Sequence, residues 1–378
     1  MRKLLNVAFA LMAMTLVACG GDDPIPEPEN PLKPDTEQQE NGLYPEVDGR
    51  VVVSYVTYYG SKIPDVKYMT HINYAFAELY VVDGVYQKFK LQGKESRFKS
   101  IVDLKKKKPS LKILLSFTHG TSNSDNEQGG GFSALAKSDA DRKKFAQDCL
   151  DFCKKWGIDG IDMDWEFPGI SWSGHACDKE VDVANHVLLM KQLRETLGDE
   201  YLLTYAGYVF DAQGSAEDKN WRYIDVKAVD PYVDWVNIMT YNMTSQAHSA
   251  LNNPKLWVDC KRAVKHYTEK GVAPSKLVLG VPFFGYGEKT WSYKYIISDE
   301  VDKTKYKIDN WDSASSVPYV TEIATGERIC AYDNAKSIGM KGDFARGAGL
   351  KGMMSWQYDQ DDAKLTLNTA MWQSVMKK

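Results

Sequence analysis

The feature of this chain that most constrains its fold is an alternation of short apolar runs with longer amphipathic stretches. From residue 50 onward, eight runs rich in Val, Ile, Leu and Tyr recur, at Val51–Val56, Thr70–Phe76, Lys112–Phe117, Gly160–Trp165, Tyr201–Ala206, Val233–Met239, Lys276–Pro282 and Gly352–Trp356. Several are continuously apolar, which is typical of parallel strands covered on both faces. Eight such strands predict an α/β fold, the (β/α)8 TIM barrel, rather than an open doubly wound sheet.

The segments between these runs predict helices and two long connections. Helical patterns cover Asp139–Trp156, Val181–Leu197, Asn253–Lys270 and Asp333–Ala345, with Gly198 as a C-cap and Asp333 as an N-cap. Residues 118–132 are polar and rich in glycine, which predicts a flexible rim loop. Residues 286–331 are longer than a simple βα connection needs, so we expect a small β-rich insertion between strands 7 and 8 at the top of the barrel.

One predicted strand carries an unusual concentration of acidic residues. The fourth run reads Asp159-Gly160-Ile161-Asp162-Met163-Asp164-Trp165-Glu166. Because alternate residues of a strand share a face, Asp162, Asp164 and Glu166 point the same way, roughly 6–7 Å apart per step. Three buried like charges coexist only if protons are shared and hydrogen bonds are supplied. At the C-terminal end of a barrel strand such residues indicate catalysis. Asp159 has the other parity and is expected to be structural.

Glycoside hydrolysis is a chemistry that uses paired carboxyl groups, which flank the bond to be cut. Glu166 is the outermost acid, and crowding by Asp164 should raise its pKa, as a general acid requires. Asp164 lies one step deeper and is expected to orient the substrate and stabilise charge, with Asp162 sharing a proton with it.

The spacing Asp159-x-x-Asp162-x-Asp164-x-Glu166 resembles the DxxDxDxE signature of glycoside hydrolase family 18, the chitinases and their relatives. The segment Met239-Thr240-Tyr241-Asn242 resembles the family's MxYD motif, and Met354-Ser355-Trp356 resembles its last strand. The resemblance covers roughly residues 48–376. It implies a TIM barrel that acts on glycans containing N-acetylglucosamine.

The resemblance also implies roles for single residues. Glu166 would protonate the glycosidic oxygen, and the substrate's own 2-acetamido oxygen would act as the nucleophile and form an oxazolinium ion. Asp164 would bind the acetamido N–H with Asp162 behind it, and Tyr241 would bind the acetamido carbonyl. The remaining substrate contacts are expected from Trp356, stacked under the sugar, and from Met239, Asn242, Tyr55 and Phe76. No metal or organic cofactor is expected.

Three positions depart from the family pattern. His119 lies where the family usually has a glycine, and is either a rim contact or a loop residue. Asn242 replaces the acid of the MxYD motif, which predicts a changed pH profile rather than loss of activity. The insertion at 286–331 looks shorter than in deep-cleft processive chitinases, which favours endo-cleavage in a shallower cleft.

Three functions fit these features. An endo-acting, retaining chitinase is favoured by the segment Asp164-Trp165-Glu166-Phe167-Pro168, which is similar to the chitinase form of the motif. An endo-β-N-acetylglucosaminidase acting on the N-glycan core needs the same acids. A glycan-binding surface protein without activity is the third reading, although the residues implied in catalysis are all present.

The N-terminal residues are predicted to direct export and not to form part of the folded domain. Residues 1–18 begin with Arg2 and Lys3 and continue with an apolar stretch that is too short to span a bilayer, which is typical of a signal peptide. Cys19 follows a sequence that resembles a bacterial lipobox, so we expect acylation there; an ordinary signal peptide is the alternative. Residues 19–47 form a Pro-rich spacer, and 48–378 the catalytic barrel. The acidic residues after Cys19 resemble export signals of Bacteroidetes lipoproteins, which predicts a lipid anchor in the outer membrane and the hypothesis of surface exposure.

Composition excludes other classes. The chain is 26% charged and 43% hydrophobic, as in ordinary globular proteins, and its net charge of −4 provides no basic field for nucleic acid. Aromatic residues make up 12% of the chain. Such an abundance suits a groove that stacks on sugar rings, although most aromatic side chains pack in cores.

Overall fold

The computed structural model of the protein describes residues 42–118, 131–170, 176–209 and 223–378. The predicted signal peptide, the lipidation residue Cys19, the spacer up to residue 41, and His119 lie outside the described residues.

Eight parallel strands close into a barrel, which confirms the predicted fold. Each strand pairs with the next and the last pairs with the first, in the order β1-β2-β4-β5-β6-β7-β8-β14. Their bounds are β1 Val51–Thr57, β2 His71–Val82, β4 Lys112–Thr118, β5 Gly160–Asp164, β6 Leu202–Gly207, β7 Trp235–Ile238, β8 Leu277–Pro282 and β14 Gly352–Trp356. The second run extends beyond its predicted end because β2 forms an antiparallel hairpin with β3, Val85–Leu91.

Helices surround the barrel. They are α1 Glu95–Val102, α2 Gly131–Lys137, α3 Asp139–Trp156, α4 Asp182–Leu197, α5 Val226–Val229, α6 Cys260–Glu269, α7 Tyr293–Ile296, α8 Ala335–Gly347 and α9 Thr366–Met376. Ser138 caps α3 through Asp141 N, and Gly198 ends α4 with a φ of 65°, as predicted. Within the described ranges, none of these helices is long and apolar enough to cross a membrane.

Two helix starts differ from their prediction. Helix α6 begins at Cys260 rather than Asn253, because the Asp259 side chain accepts from Arg262 N and caps it there. Helix α8 is capped by Asn334 rather than Asp333. The Asp333 carboxylate is fully buried and pairs instead with Lys341, at 2.6 Å.

The predicted insertion is a five-stranded antiparallel sheet between β8 and β14. Its strands run in the order β10-β9-β13-β12-β11. Their bounds are β9 Phe284–Gly287, β10 Trp291–Ser292, β11 Tyr306–Asp312, β12 Val317–Glu322 and β13 Arg328–Ala331. Because β9 begins at the carboxyl end of β8, the sheet rises on the face of the barrel where active sites of this fold lie.

The segment before β1 packs against the last helix. Trp372 Nε1 of α9 donates to the Tyr44 carbonyl at 2.9 Å, and Tyr44 N donates to Gln373 Oε1 at 2.9 Å. Because residues 42–50 lead directly into the amino end of β1, this contact lies at the face of the barrel opposite the carboxyl ends of the strands.

Candidate active site

A cleft of about 270 Å³ opens at the carboxyl ends of the barrel strands. Eight of the residues predicted to act on substrate line it: Tyr55, Phe76, Asp164, Glu166, Met239, Tyr241, Asn242 and Trp356. They come from distant parts of the sequence and converge because parallel strands end at one face. Two more acids of the motif, Asp162 and Asp159, lie outside the lining of the cleft.

Asp162 is fully buried beneath the cleft and accepts four side-chain hydrogen bonds. Its Oδ2 accepts from Tyr55 and Ser116, both at 2.7 Å, and its Oδ1 accepts from Thr204 at 2.5 Å and from Asn237 Nδ2 at 3.2 Å. The donors come from β1, β4, β6 and β7. Burial raises the pKa of Asp162, and the four hydrogen bonds counteract part of that rise because they favour the ionised form.

Asp164 and Glu166 are joined by a side-chain hydrogen bond. Burial raises the pKa of both carboxyl groups, and the pKa of Asp164 is raised further by the negative charges of Glu166 and Asp162. Two carboxyl groups in such contact hold one proton between them. The sequence predicts a proton shared between Asp162 and Asp164. In the structure the hydrogen bond joins Asp164 to Glu166 instead, because Asp162 is surrounded by hydroxyl and amide donors.

Tyr241 is a neutral phenol facing this pair. Its side chain is 7% exposed, and burial together with the charges of Asp164 and Glu166 raises its pKa well above the ordinary value. The Tyr55 pKa is raised in the same way, mainly by burial. Both hydroxyl groups therefore keep their protons at any working pH and can donate hydrogen bonds into the cleft or to Asp162.

An aromatic group forms the floor of the cleft. The centre of the Trp356 ring lies 5.5 Å from the centre of the Tyr55 ring and 5.6 Å from that of Phe76. The planes of Trp356 and Phe76 are nearly parallel, with 26° between them. Trp356 is half-buried, so its neighbours fix the indole while part of the ring stays accessible. A flat apolar face of this kind packs well against the C–H face of a sugar ring.

Asp159 lies at the amino end of β5, away from the cleft. It accepts from Lys105 Nζ at 2.7 Å, Lys112 Nζ at 3.2 Å and Ile113 N at 2.9 Å. These contacts tie the start of β4 to the turn that leads into β5.

Some cleft residues were not predicted from the sequence. Thr118, Ala206, Tyr208 and Phe284 also line the cleft. Each lies at or next to the end of a barrel strand, and that position is the signal that could have identified them. Tyr208 is a neutral phenol as well, because burial and the charge of Glu166 raise its pKa to about 12.

A buried histidine supports the rim of the cleft. Asn242 has a φ of 54°, and its backbone N–H donates to His248 Nδ1 at 3.2 Å. Burial lowers the pKa of His248 to about 3, so the ring stays neutral and can accept this bond. No periodicity in the sequence marks His248, because it follows an irregular turn.

Metal ligation is not supported by the described side chains. Within the described ranges, no group of three or more His, Cys, Asp or Glu residues is arranged to hold a metal ion. The carboxyl groups of the cleft instead interact with one another and with hydroxyl and amide donors.

The family can be identified at this point. The model of the family described as glycosyl hydrolases family 18 matches residues 51–361, which span the whole barrel and its insertion. The protein belongs to this family of glycosidases.

Individual relatives agree with this placement. The chain is 29% identical to chitinase A1 of Niallia circulans in an alignment of 313 positions that covers 70% of this chain and 43% of that protein. It is 28% identical to chitinase C of Streptomyces lividans over 78% of this chain and 53% of that one. The chain thus spans about half the length of these two relatives.

Solved structures show the same architecture. A family 18 N-acetylglucosaminidase from Paenibacillus barengoltzii matches with a TM-score of 0.71 and 26% identity, covering 86% of this chain and 99% of that one. A chitinase from Rhizomucor miehei, RmChi1, matches with a TM-score of 0.73 and 25% identity, over 87% and 100%.

Proposed function

We propose that the protein is an active, endo-acting and retaining chitinase that cleaves β-1,4-linked N-acetylglucosamine polymers. The observation that carries the proposal is the hydrogen-bonded Asp164–Glu166 pair, which faces the Tyr241 hydroxyl over the Trp356 floor. A non-catalytic glycan-binding protein has no use for a proton held between two buried acids.

Substrate-assisted catalysis uses each of these groups. Glu166 gives its proton to the glycosidic oxygen, and that oxygen leaves with the bonding electrons. The acetamido oxygen of the sugar bound at Trp356 attacks C1 and forms the oxazolinium ion. Asp164 accepts a hydrogen bond from the acetamido N–H and balances the positive charge of the oxazolinium ion. The Tyr241 hydroxyl donates a hydrogen bond that holds the acetamido oxygen in attack geometry.

The second half of the reaction returns the enzyme to its starting state. Water attacks C1 from the face that the leaving group vacated and gives a proton to the Glu166 carboxylate. The C1–O bond to the acetamido group breaks, and the sugar keeps its β configuration. The negative charge of Asp162 beneath the pair favours return of the proton, because it raises the pKa of Asp164, which shares that proton with Glu166.

Product analysis on chitooligosaccharides tests this proposal. The wild-type protein should release shorter oligosaccharides whose new reducing ends are initially β, as read by proton NMR. Glu166→Gln should reduce turnover by roughly 10²–10⁴-fold while oligosaccharide binding persists. Initially α product would overturn the mechanism, and an inactive wild type that still binds oligosaccharides would favour the non-catalytic reading.

An endo-β-N-acetylglucosaminidase acting on the N-glycan core is the second candidate. Its substrate also places an N-acetylglucosamine at the cleaved bond, so the acids, Tyr241 and Trp356 would serve it equally. A side-by-side assay on chitooligosaccharides and a high-mannose glycopeptide separates the two functions. Release of single N-acetylglucosamine units alone would instead point to exo-action.

We also propose that Cys19 carries a lipid that anchors the protein in the outer membrane. The lipobox-like sequence before Cys19 and the Pro-rich sequence after it support this proposal. The predicted spacer is shorter than 19–47 at its C-terminal end, because Leu43 and Tyr44 are buried against the barrel. Cells fed a labelled fatty acid should label the wild type but not Cys19→Ala. Protease treatment of intact cells should remove the barrel if it lies at the cell surface, and protection would refute surface exposure.

A further inference from the structure

Asn237 of β7 links the buried acid Asp162 to the indole of Trp235 through two hydrogen bonds. Its side chain is fully buried, and its Nδ2 donates to Asp162 Oδ1 at 3.2 Å, with a longer contact of 3.5 Å to the Tyr55 hydroxyl. Its Oδ1 accepts from Trp235 Nε1 at 3.1 Å. Asp162, Asn237 and Trp235 thus form one hydrogen-bonded chain beneath the cleft.

The orientation of the Asn237 amide follows from chemistry. The oxygen and nitrogen of an amide have similar shapes, so the partners decide which way it points. The indole N–H of Trp235 can only donate, so it requires Oδ1 on its side, and Nδ2 must then face Asp162. A flipped amide would set two donors against each other at Trp235 and a carbonyl against the carboxylate of Asp162.

Packing holds Trp235 in place. The indole is buried, His71 packs edge-on against it with the ring centres 5.1 Å apart, and Lys351 Nζ lies 5.4 Å from its centre. Burial lowers the pKa of His71 to about 3, so this neighbour does not change charge over the working range of pH.

Asn237 differs in kind from the other three donors to Asp162. Tyr55, Ser116 and Thr204 contribute hydroxyl groups, which can donate to a carboxylate or accept from a protonated acid. An amide N–H can only donate, and its bond is stronger to an anion than to a neutral acid. Asn237 is therefore the member of the set that distinguishes the two states of Asp162.

We propose that Asn237 is a positioning residue for Asp162: its amide holds the Asp162 carboxylate in the ionised form, and Trp235 locks the amide in the orientation that does so. The other titratable groups facing Asp162 are Tyr55 from β1, Asp164 on its own strand, and Tyr241 beyond β7. Both phenols stay neutral, so the charge of Asp162 acts on the Asp164–Glu166 proton.

The proposal deepens the proposed function and rests on it for the kinetic test. In Asn237→Leu, Asp162 should take up a proton, and the Asp164–Glu166 pair should then release its own proton at lower pH. The alkaline limb of the kcat/KM profile on chitooligosaccharides should move down by roughly one pH unit. Trp235→Phe, which leaves Asn237 and Asp162 in place, should move the limb in the same direction by less.

The chain offers a matched control in Asn73 of β2. It is also fully buried, and its amide has no hydrogen-bond partner within the part of the chain that the structure describes. Asn73→Leu should leave the pH profile unshifted. Unshifted limbs in Asn237→Leu and Trp235→Phe, or an equal shift in Asn73→Leu, would overturn the proposal.

Infrared spectroscopy supplies a reading that needs no activity. At pH 7, Asn237→Leu should show an additional protonated-carboxyl band, which should vanish when Asp162→Asn is added to it. If the wild type cleaves no substrate, the proposed function fails while this band still decides the role of Asn237, and its absence contradicts that role. Should Asn237→Leu not fold, Trp235→Phe decides by the same measurements.

Discussion

Asn242 is the residue at which this cleft departs most clearly from the family motif. Its left-handed backbone conformation suits Asn and Asp better than other non-glycine residues. The contact that fixes it uses its backbone N–H and His248, so it does not depend on the side-chain amide. An acid can therefore be restored at this position without disturbing the turn.

We expect Asn242→Asp to shift the pH profile and to keep the activity. A new carboxylate lining the cleft disfavours ionisation of the Asp164–Glu166 pair and raises its pKa, so the general acid keeps its proton to higher pH. The alkaline limb of kcat/KM should move up by about half to one pH unit. Asn242→Gly, which tolerates the same φ, is the control without charge. An unshifted limb in Asn242→Asp would contradict the electrostatic argument.

The residues of the cleft were predictable to different degrees. The motif positions could be recognised because fixed spacing on a strand determines which side chains share a face. Tyr208 and Phe284 follow strands without a motif, and only the closed barrel shows that they reach the cleft. The bond between Asp164 and Glu166 depends on donors from four other strands that surround Asp162, and no local pattern encodes those contacts.

At the scale of elements, the strands were predicted better than the helix ends. Continuous apolar runs define buried strands wherever their partners lie, so the bounds agree closely for most of them. Helix caps depend on competition between neighbouring polar side chains. Asp333 and Asn334 can both cap α8, and the buried ammonium of Lys341 decides the outcome by binding Asp333.

Where α8 packs on α9, the contact between the helices should outweigh the usual preference for alanine over glycine inside a helix. Replacing glycine by alanine inside a helix normally stabilises it by about 1 kcal/mol. A Cβ at Gly342 would overlap the side chain of Ser374 and approach its backbone carbon to 3.2 Å. Gly342→Ala should therefore lower the free energy of unfolding by about 1–3 kcal/mol.

Urea unfolding measures this effect, and α8 contains its own control. A Cβ at Gly347 meets no atom within 4 Å, so Gly347→Ala should be neutral or stabilising. Ser374→Gly should relieve the overlap, which makes the double variant more stable than the sum of the single changes. Equal effects at the two glycines would show that packing between these helices does not limit residue 342.

At the scale of the whole molecule, the three histidines that are buried within the described residues make the fold sensitive to acid. Burial lowers the pKa of His71 and His248 to about 3 and that of His186 to about 4. The unfolded chain binds protons at these sites near pH 6.5, whereas the folded protein does not. Above pH 6.5 these histidines therefore do not reduce the free energy of unfolding. That free energy falls as the pH drops from 6.5 toward the pKa values of the histidines in the folded protein.

His186 of α4 offers a direct test of this acid sensitivity. The His186 ring packs against Trp165 and Tyr205. Because its pKa is lowered in the folded protein, this one residue should reduce the free energy of unfolding by roughly 3 kcal/mol between pH 7 and pH 4. His186→Leu fills a similar volume without titrating, so its unfolding free energy should fall less on acidification. Urea titrations at both pH values measure the difference, and parallel losses in wild type and variant would contradict the prediction.

The contact between residues 42–44 and α9 has a consequence for how the molecule presents itself. Residue 42, where the described part of the chain begins, lies at the amino end of the barrel, on the side away from the cleft. The lipid and spacer proposed above would therefore join the barrel on the face opposite the cleft, so the point of attachment itself would leave the cleft opening uncovered.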